Sequence, residues 1–123
     1  MSERFTVLVL GASARAAASA AALAGWNPIA ADLFADRDLA ELCPTIRIGE
    51  YPRGFLRAVE ERAAQAWIYT GGLENHSRLL ARLAARLPLW GNAGGSLRRV
   101  RNPWRFAAAL RAAGLNAPQL LPP

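Results

Sequence analysis

The chain has no lysine, one cysteine, Cys43, and one histidine, His76. A single cysteine excludes an internal disulfide and a multi-cysteine metal site, and a single histidine gives little basis for a metal cluster or a serine–histidine–aspartate triad. No apolar run reaches the roughly 18 residues of a membrane helix without a charge or a glycine, so we expect no membrane partner. The N-terminus is too short and too acidic for a signal peptide, and we therefore expect a cytoplasmic protein.

Length and composition limit the chain to one globular domain. With 123 residues, 53% hydrophobic and 20% charged, it is long enough to bury a core and too apolar to be disordered. All fifteen basic residues are arginine, and the net charge is +6. Residues 1–50 carry four arginines against six acids, whereas residues 51–123 carry eleven arginines against three acids. This asymmetry predicts that a binding partner contacts residues 51–123.

Short apolar runs alternate with helical patterns along the chain. Residues 5–10 form a nearly continuous apolar run that ends at Gly11, which is typical of a strand buried on both faces. Such alternation predicts a three-layer, Rossmann-like α/β fold, with a parallel sheet of about five strands and helices on both faces. The predicted strands cover 5–10, 28–33, 45–48, 66–70 and 88–92, and the main predicted helices cover 14–24, 52–63, 75–87 and 103–113.

Helix ends and helix faces can also be predicted from the pattern. Ser13 and Asn75 stand where side-chain oxygens could cap the first and third helices. Arg78, Arg82 and Arg86 lie at i, i+4 and i+8, which favours a solvated helix face over a binding stripe. The four tryptophans favour core or interface anchors over a platform for stacking bases.

Ligands of open parallel sheets bind beyond the carboxyl ends of the strands, where three loops are predicted. The first, residues 11–16, opens a helix whose N-terminus offers N–H groups to an anion. Against the dinucleotide fingerprint, Gly11 fits, Ser13 replaces the second glycine, and Asp32 stands where a ribose-binding acid would be. The match is incomplete, so an anion or substrate site and plain strand-turn-helix packing both stay open.

The second loop, residues 70–76, concentrates polar groups after a predicted strand. Its two glycines let the backbone come close to a ligand, and Glu74 and Asn75 add a carboxylate and an amide. Each has a structural alternative, Asn75 as a helix cap and Glu74 as a charge that favours the helix dipole. His76 fits exposure in the first helical turn better than catalysis. In the third loop, residues 90–96, a plain turn is favoured over an anion-binding nest.

Five motifs follow one another in the second half of the chain: Gly71-Gly72-Leu73-Glu74-Asn75, Leu89-Trp90-Gly91-Asn92, Asn102-Pro103-Trp104-Arg105-Phe106, Ala113-Gly114-Leu115 and Pro118. Together with the first strand that ends at a glycine, their order resembles the N-terminal domain of ATP-grasp enzymes, with the closest likeness to biotin carboxylase and the predicted ATP-dependent carboligases related to it. The likeness covers nearly the whole chain and is sharpest over residues 70–118. At Asn102-Pro103 the chain departs from the Asp-Lys of many family members, so the role of that lysine is not carried over.

The resemblance implies a substrate-side domain over 1–118, with 119–123 starting a linker to ATP-grasp domains outside this chain. Those domains, or a subunit carrying them, would hold ATP and Mg²⁺ and activate a small-molecule carboxylate as an acyl phosphate for capture by an amine or similar nucleophile. The chain itself would hold no cofactor, metal or catalytic residue and would be inactive alone. The expected substrate-binding residues are Gly11, Ser13, Arg15, Asp32, Thr70, Gly71, Gly72, Glu74 and Asn75.

Two other functions remain as alternatives. One is a Rossmann dinucleotide-binding fragment of an oxidoreductase that would use Gly11, Ser13 and Asp32. The other, ranked third because no nucleic-acid motif accompanies the charge, is a basic nucleic-acid-binding module. A homodimer stays open as the oligomeric state. The arginines that the nucleic-acid module would use are Arg98, Arg99, Arg101, Arg105 and Arg111.

Overall fold

A four-stranded, all-parallel sheet in the order β3–β2–β1–β4 forms the centre of the computed structural model, which describes residues 3–123. The predicted α/β class is therefore confirmed. The strands are β1 Thr6–Leu10, β2 Asn27–Asp32, β3 Thr45–Arg47 and β4 Ala66–Tyr69. The helices are α1 Arg15–Leu23, α2 Arg37–Leu42, α3 Gly54–Glu61, α4 Ser77–Ala84, α5 Gly94–Val100 and α6 Pro103–Ala112, with a 3₁₀ turn at Leu73–Asn75.

Strand β1 shows why the sheet is covered on both faces. Its side chains alternate, so that Leu8 and Leu10 join the core formed with α3 and α4, while Val7 and Val9 join the core formed with α1 and α2. All four side chains are fully buried. The three-layer arrangement follows directly from this run of apolar residues, because a strand between two cores needs no polar face.

The fifth predicted strand, residues 88–92, is reduced to a single parallel bridge between Trp67 and Leu89. Two backbone hydrogen bonds make it, from Trp67 N–H to the Pro88 carbonyl over 3.0 Å and from Trp90 N–H to the Trp67 carbonyl over 2.9 Å. Pro88 has no N–H to extend the ladder. The sheet thus has four strands where about five were predicted, a minor difference, and the segment lies where a fifth strand would pair.

Both predicted side-chain caps at Ser13 and Asn75 were wrong. The N-cap position of α1 is Ala14 and that of α4 is His76, and neither helix has a side-chain cap. At α1, the Ala14 N–H is already taken by a carboxylate from β2, and Asn75 lies one residue before the cap position of α4, in the 3₁₀ turn. By contrast, α6 begins at a proline, as predicted, and Asn102 Oδ1 caps it by accepting the Arg105 N–H over 3.1 Å.

A cluster of three aromatic side chains lies on the α1–α2 side of the sheet. The rings of Phe5 and Trp90 stack with centroids 4.6 Å apart, and Trp26 contacts both rings at 5.6 and 5.5 Å. Trp67, on the other side, is fully buried, and its indole N–H donates to the Leu87 carbonyl over 2.9 Å. Within residues 3–123, no helix has the length and apolarity needed to cross a membrane.

Candidate ligand-binding crevice

The carboxyl ends of β1 and β4 meet at the topological switch point of the sheet. From β1 the chain goes to β2 on one side, while β4 pairs with β1 on the other. In the β1–β4 register, Leu10 faces Tyr69, so the two strands end level with each other. Open α/β sheets bind ligands in the crevice at this position. The loops that leave these two strands, residues 11–14 and 70–76, therefore form the candidate binding site.

Two hydrogen bonds join these two loops directly. The Thr70 hydroxyl donates to the Ser13 carbonyl over 2.9 Å, and the Ala12 N–H donates to the Gly71 carbonyl over 3.3 Å. A side chain on Gly11 would overlap Thr70 Oγ1, so glycine is required here for the close approach of the loops. The structure thus brings Gly11, Ser13, Thr70 and Gly71 close together, and their contact with a substrate stays a prediction.

Gly72 shapes the next part of the crevice. Its φ of +100° is a conformation that side chains disfavour, and a Cβ added there would lie 2.7 Å from the Tyr51 hydroxyl and 3.5 Å from Ala12 Cβ. Tyr51 comes from the loop between β3 and α3, and its ring contacts His76 edge-on, with centroids 5.5 Å apart. Sequence reasoning missed Tyr51, although an aromatic residue in a loop after a strand was an available signal.

Arg101, from the C-terminal part of the chain, contacts both Glu74 and Asn75. Arg101, directly after α5, donates from Nη2 to Asn75 Oδ1 over 2.5 Å, and its Nη1 lies 3.9 Å from Glu74 Oε1. The side chain of Glu74 is 28% exposed. Burial, and secondly the negative charge of Glu74, raise the pKa of both Tyr51 and Tyr69. Sequence reasoning had placed Arg101 only in a basic segment.

An open groove of about 400 Å³ lies between the 70–76 loop and the C-terminal helices. Carboxylate, amide and guanidinium groups line it, which suits a ligand that carries both hydrogen-bond donors and an anionic group. A groove of about 650 Å³ lies at the amino ends of the strands, lined by residues such as Thr6 and Asn27, and so at the wrong edge of the sheet for this type of site. The lining of the 400 Å³ groove includes Glu74, Asn75, Ser77, Arg98, Arg101 and Trp104.

Asp32 is placed inside the fold. It is 2% exposed, and its carboxylate accepts three backbone N–H groups, from Ala14 over 2.7 Å, Phe34 over 2.6 Å and Ala35 over 2.8 Å. The contact with Ala14 puts a carboxylate at the N-terminus of α1, where an anionic ligand would otherwise find N–H groups and the helix dipole. A contact between Asp32 and substrate stays a prediction.

Arg15 is paired with an acid of α2. Its Nη1 donates to Asp38 Oδ2 over 2.7 Å, and both side chains are more than half exposed. This hydrogen bond lowers the pKa of Asp38 and raises that of Arg15. The predicted contact of Arg15 with substrate is not tested by this arrangement.

The third predicted loop is used for packing. A Cβ on Gly94 would lie 2.7 Å from the Ser77 carbonyl oxygen, so this buried glycine lets the start of α5 approach α4 closely. Tyr69 donates its hydroxyl to the Asn92 carbonyl over 2.8 Å, which ties the same loop to the end of β4. Within residues 3–123, no three His, Cys, Asp or Glu side chains are grouped so that they could hold a metal ion.

Comparison with known proteins identifies the fold. No protein-family model and no curated protein sequence matches the chain. Among solved structures, the chain is similar to the biotin carboxylase domain of a single-chain bacterial carboxylase, with a TM-score of 0.70 and 19% identity over 88% of this chain. The similarity confirms the predicted pre-ATP-grasp-like fold. The chain spans 29% of that larger chain.

Proposed function

We propose that the chain is the N-terminal, substrate-side domain of an ATP-grasp ligase and acts in the cytoplasm. In this proposal the crevice forms one wall of a site where a carboxylate, activated by ATP as an acyl phosphate, is captured by an amine or similar nucleophile. The structural match to a biotin carboxylase domain covers 88% of this chain, which supports a relation to ATP-grasp enzymes. The carboxylate and its acceptor are inferred from that likeness.

The observation that carries the proposal is the contact between the loops after β1 and β4. Gly11 and Thr70 approach so closely that no side chain fits at residue 11, and the polar groups of Glu74 and Asn75 follow in the same loop. A ligand at this edge would meet groups already held by Arg101. Such preorganisation favours binding and orientation of a small molecule, because little conformational entropy is lost when it binds.

In this proposal ATP and Mg²⁺ are held outside this chain, as the likeness to ATP-grasp enzymes implies. Mg²⁺ prefers oxygen ligands such as carboxylates, often bridging to phosphate, and residues 3–123 contain no cluster of three potential metal-binding side chains. We therefore assign ATP and Mg²⁺ to a partner domain or subunit, and no chemical step is assigned to residues of this chain.

The dinucleotide alternative is less favoured by the geometry. It needs a free carboxylate at Asp32 for a ribose hydroxyl, whereas both carboxylate oxygens already accept backbone N–H groups. The Asp32 side chain is also only 2% exposed, so a ribose hydroxyl could reach it only if the β2–α2 turn moved. Retention of the chain on an immobilised nicotinamide dinucleotide would restore this alternative.

Titration of the isolated chain tests the proposal. Calorimetry with ATP and Mg²⁺ should show no binding tighter than about millimolar. Amide NMR spectra recorded during titration with a panel of amino acids and small dicarboxylates should shift for residues 71–75, with Gly49 and Gly25 as unaffected references. Micromolar ATP binding with hydrolysis would exclude the proposed division of labour, and shifts confined to other regions would exclude the crevice.

A further inference from the structure

Helix α6 is poorly covered by the rest of the fold. Of its ten residues only Ala107 is buried, while Trp104 is 52% and Phe106 is 46% exposed. Val100, at the end of α5, is 59% exposed beside it. Helices of this length are marginal in water unless an apolar face is packed. The outer apolar face of α5 and α6 therefore resembles a surface that normally contacts another protein.

A small, mainly apolar pocket lies on this face. It measures about 240 Å³, and Val100, Phe106 and Ala109 line it together with Arg99 and Arg105. An apolar centre surrounded by charged groups is the usual anatomy of a protein–protein contact, where the centre excludes water and the rim remains solvated.

The charge of this surface is strongly one-sided. Residues 75–123 contain eight arginines and no acidic residue. Arg101 lies near Glu74, and Arg86 lies 3.2 Å from Glu60. In the part of the chain that the structure describes, Arg99 and Arg105 belong to no ion pair. Two unpaired guanidinium groups that flank an apolar pocket are complementary to carboxylates that flank an apolar side chain.

We propose that the α5–α6 surface, defined by Arg99, Val100, Arg105, Phe106 and Ala109, docks an acidic protein segment. The segment inserts one apolar side chain into the pocket and places carboxylates against Arg99 and Arg105. It would belong to the partner that holds ATP in the proposed ligase, and only this identity rests on the proposed function. A protein partner is favoured over nucleic acid, because phosphate contacts alone would leave the apolar pocket unfilled.

Synthetic peptides test the surface directly. The probe is a labelled peptide with a central leucine between glutamates, and its control has alanine at the centre. Fluorescence anisotropy should show that Arg99→Glu with Arg105→Glu weakens binding of the leucine peptide by about tenfold or more. The matched control is Arg78→Glu with Arg82→Glu on α4, which makes the same change in net charge on another exposed face and should weaken binding only slightly.

Further variants separate docking from folding and from simple charge attraction. Arg99→Gln with Arg105→Gln should weaken binding with less change in charge, and circular dichroism should show an unaltered fold. The proposal is overturned if the alanine peptide binds equally well, if the α4 variant weakens binding as much, or if a single-stranded oligonucleotide outcompetes the peptide through the same arginines. If the peptide binds but the amide signals of residues 71–75 do not shift with small molecules, the docking surface is supported and the proposed function is not. If those signals shift but the peptide does not bind, the proposed function is supported and the docking surface is not.

Discussion

The Asp32 carboxylate, at the end of β2, accepts the backbone N–H of Ala14, just before α1, over 2.7 Å. The same side chain also accepts two N–H groups of its own turn, so one buried carboxylate fixes both the entrance to α1 and the path from β2 to α2. Because these N–H groups have no other acceptor among the described residues, Asp32 stabilises the loops at the carboxyl ends of β1 and β2.

Asp32→Ala should therefore destabilise the protein by about 1–3 kcal/mol or more, because it leaves buried N–H groups without an acceptor. Urea denaturation followed by circular dichroism measures the free energy of unfolding. Asp36→Ala is the matched control, since Asp36 is exposed and makes no side-chain cap, and it should change stability by no more than about 0.5 kcal/mol. Equal effects of the two substitutions would contradict the role assigned to Asp32.

Gly11→Ala should cost about 1–3 kcal/mol, because the added methyl group overlaps the Thr70 hydroxyl. Gly49→Ala, where a Cβ meets nothing within 4 Å, is the control and should be nearly neutral. In a double-mutant cycle with Thr70→Ala, removing the hydroxyl should recover part of the loss from Gly11→Ala. Strict additivity of the two substitutions would show that the two loops do not touch as described.

Gly72→Ala should destabilise the 70–76 loop by about 1–3 kcal/mol, because a side chain is strained at φ +100° and would crowd the Tyr51 hydroxyl. The neighbouring Gly71→Ala meets no atom within 4 Å and should have little effect on thermal stability. Adding Tyr51→Phe to Gly72→Ala should relieve the crowding but not the backbone strain, so recovery should be partial. Complete recovery would mean that the backbone of Gly72 is unstrained.

The ionisation of tyrosine reports the charge of Glu74. The chain has two tyrosines, Tyr51 and Tyr69, and both have a pKa above the ordinary 10.0 because of burial and the nearby carboxylate. Ultraviolet titration of tyrosinate should therefore give a raised midpoint that Glu74→Gln lowers. Glu60→Gln on α3 serves as the control and should leave the midpoint unchanged. An unchanged midpoint in Glu74→Gln would place Glu74 away from both rings.

The Arg15–Asp38 pair should make stability depend on pH below the ordinary carboxyl pKa of 3.8. Since the folded state lowers the pKa of Asp38, its contribution is present above 3.8 and is lost as pH falls through the lowered value. Asp38→Asn should thus lower the urea midpoint slightly at neutral pH and make no difference in stronger acid. A difference that persists at the lowest pH would contradict an ionic origin.

The order of strands and helices was predictable because its signals are local. Apolar runs mark β1 to β4, and Pro103 marks the start of α6. The same logic places the 11–14 and 70–76 loops at one edge, since parallel strands present their carboxyl ends together. The proximity of the two loops was therefore predictable from the sequence, although the hydrogen-bond partners were not.

Contacts between distant residues were the part that local patterns could not predict. Ser13 and Asn75 have the chemistry of caps, but long-range partners decide the outcome, because Asp32 reaches Ala14 and Arg101 reaches Asn75. The Asp32 contact depends on the register of β1 against β2, and only the folded sheet shows it. The position of Tyr51 beside Gly72 and His76 likewise depends on distant parts of the chain.

The single bridge between Trp67 and Leu89 has a consequence for cooperativity. Within residues 3–123, two backbone hydrogen bonds join residues 88–90 to the sheet, whereas β1 pairs along its length with both neighbours. Native-state hydrogen exchange should therefore show α5 and α6 opening as a separate unit, with lower free energy than the four strands. A partner that covers these helices would slow their exchange most and thus convert a marginal subdomain into part of the global folding unit.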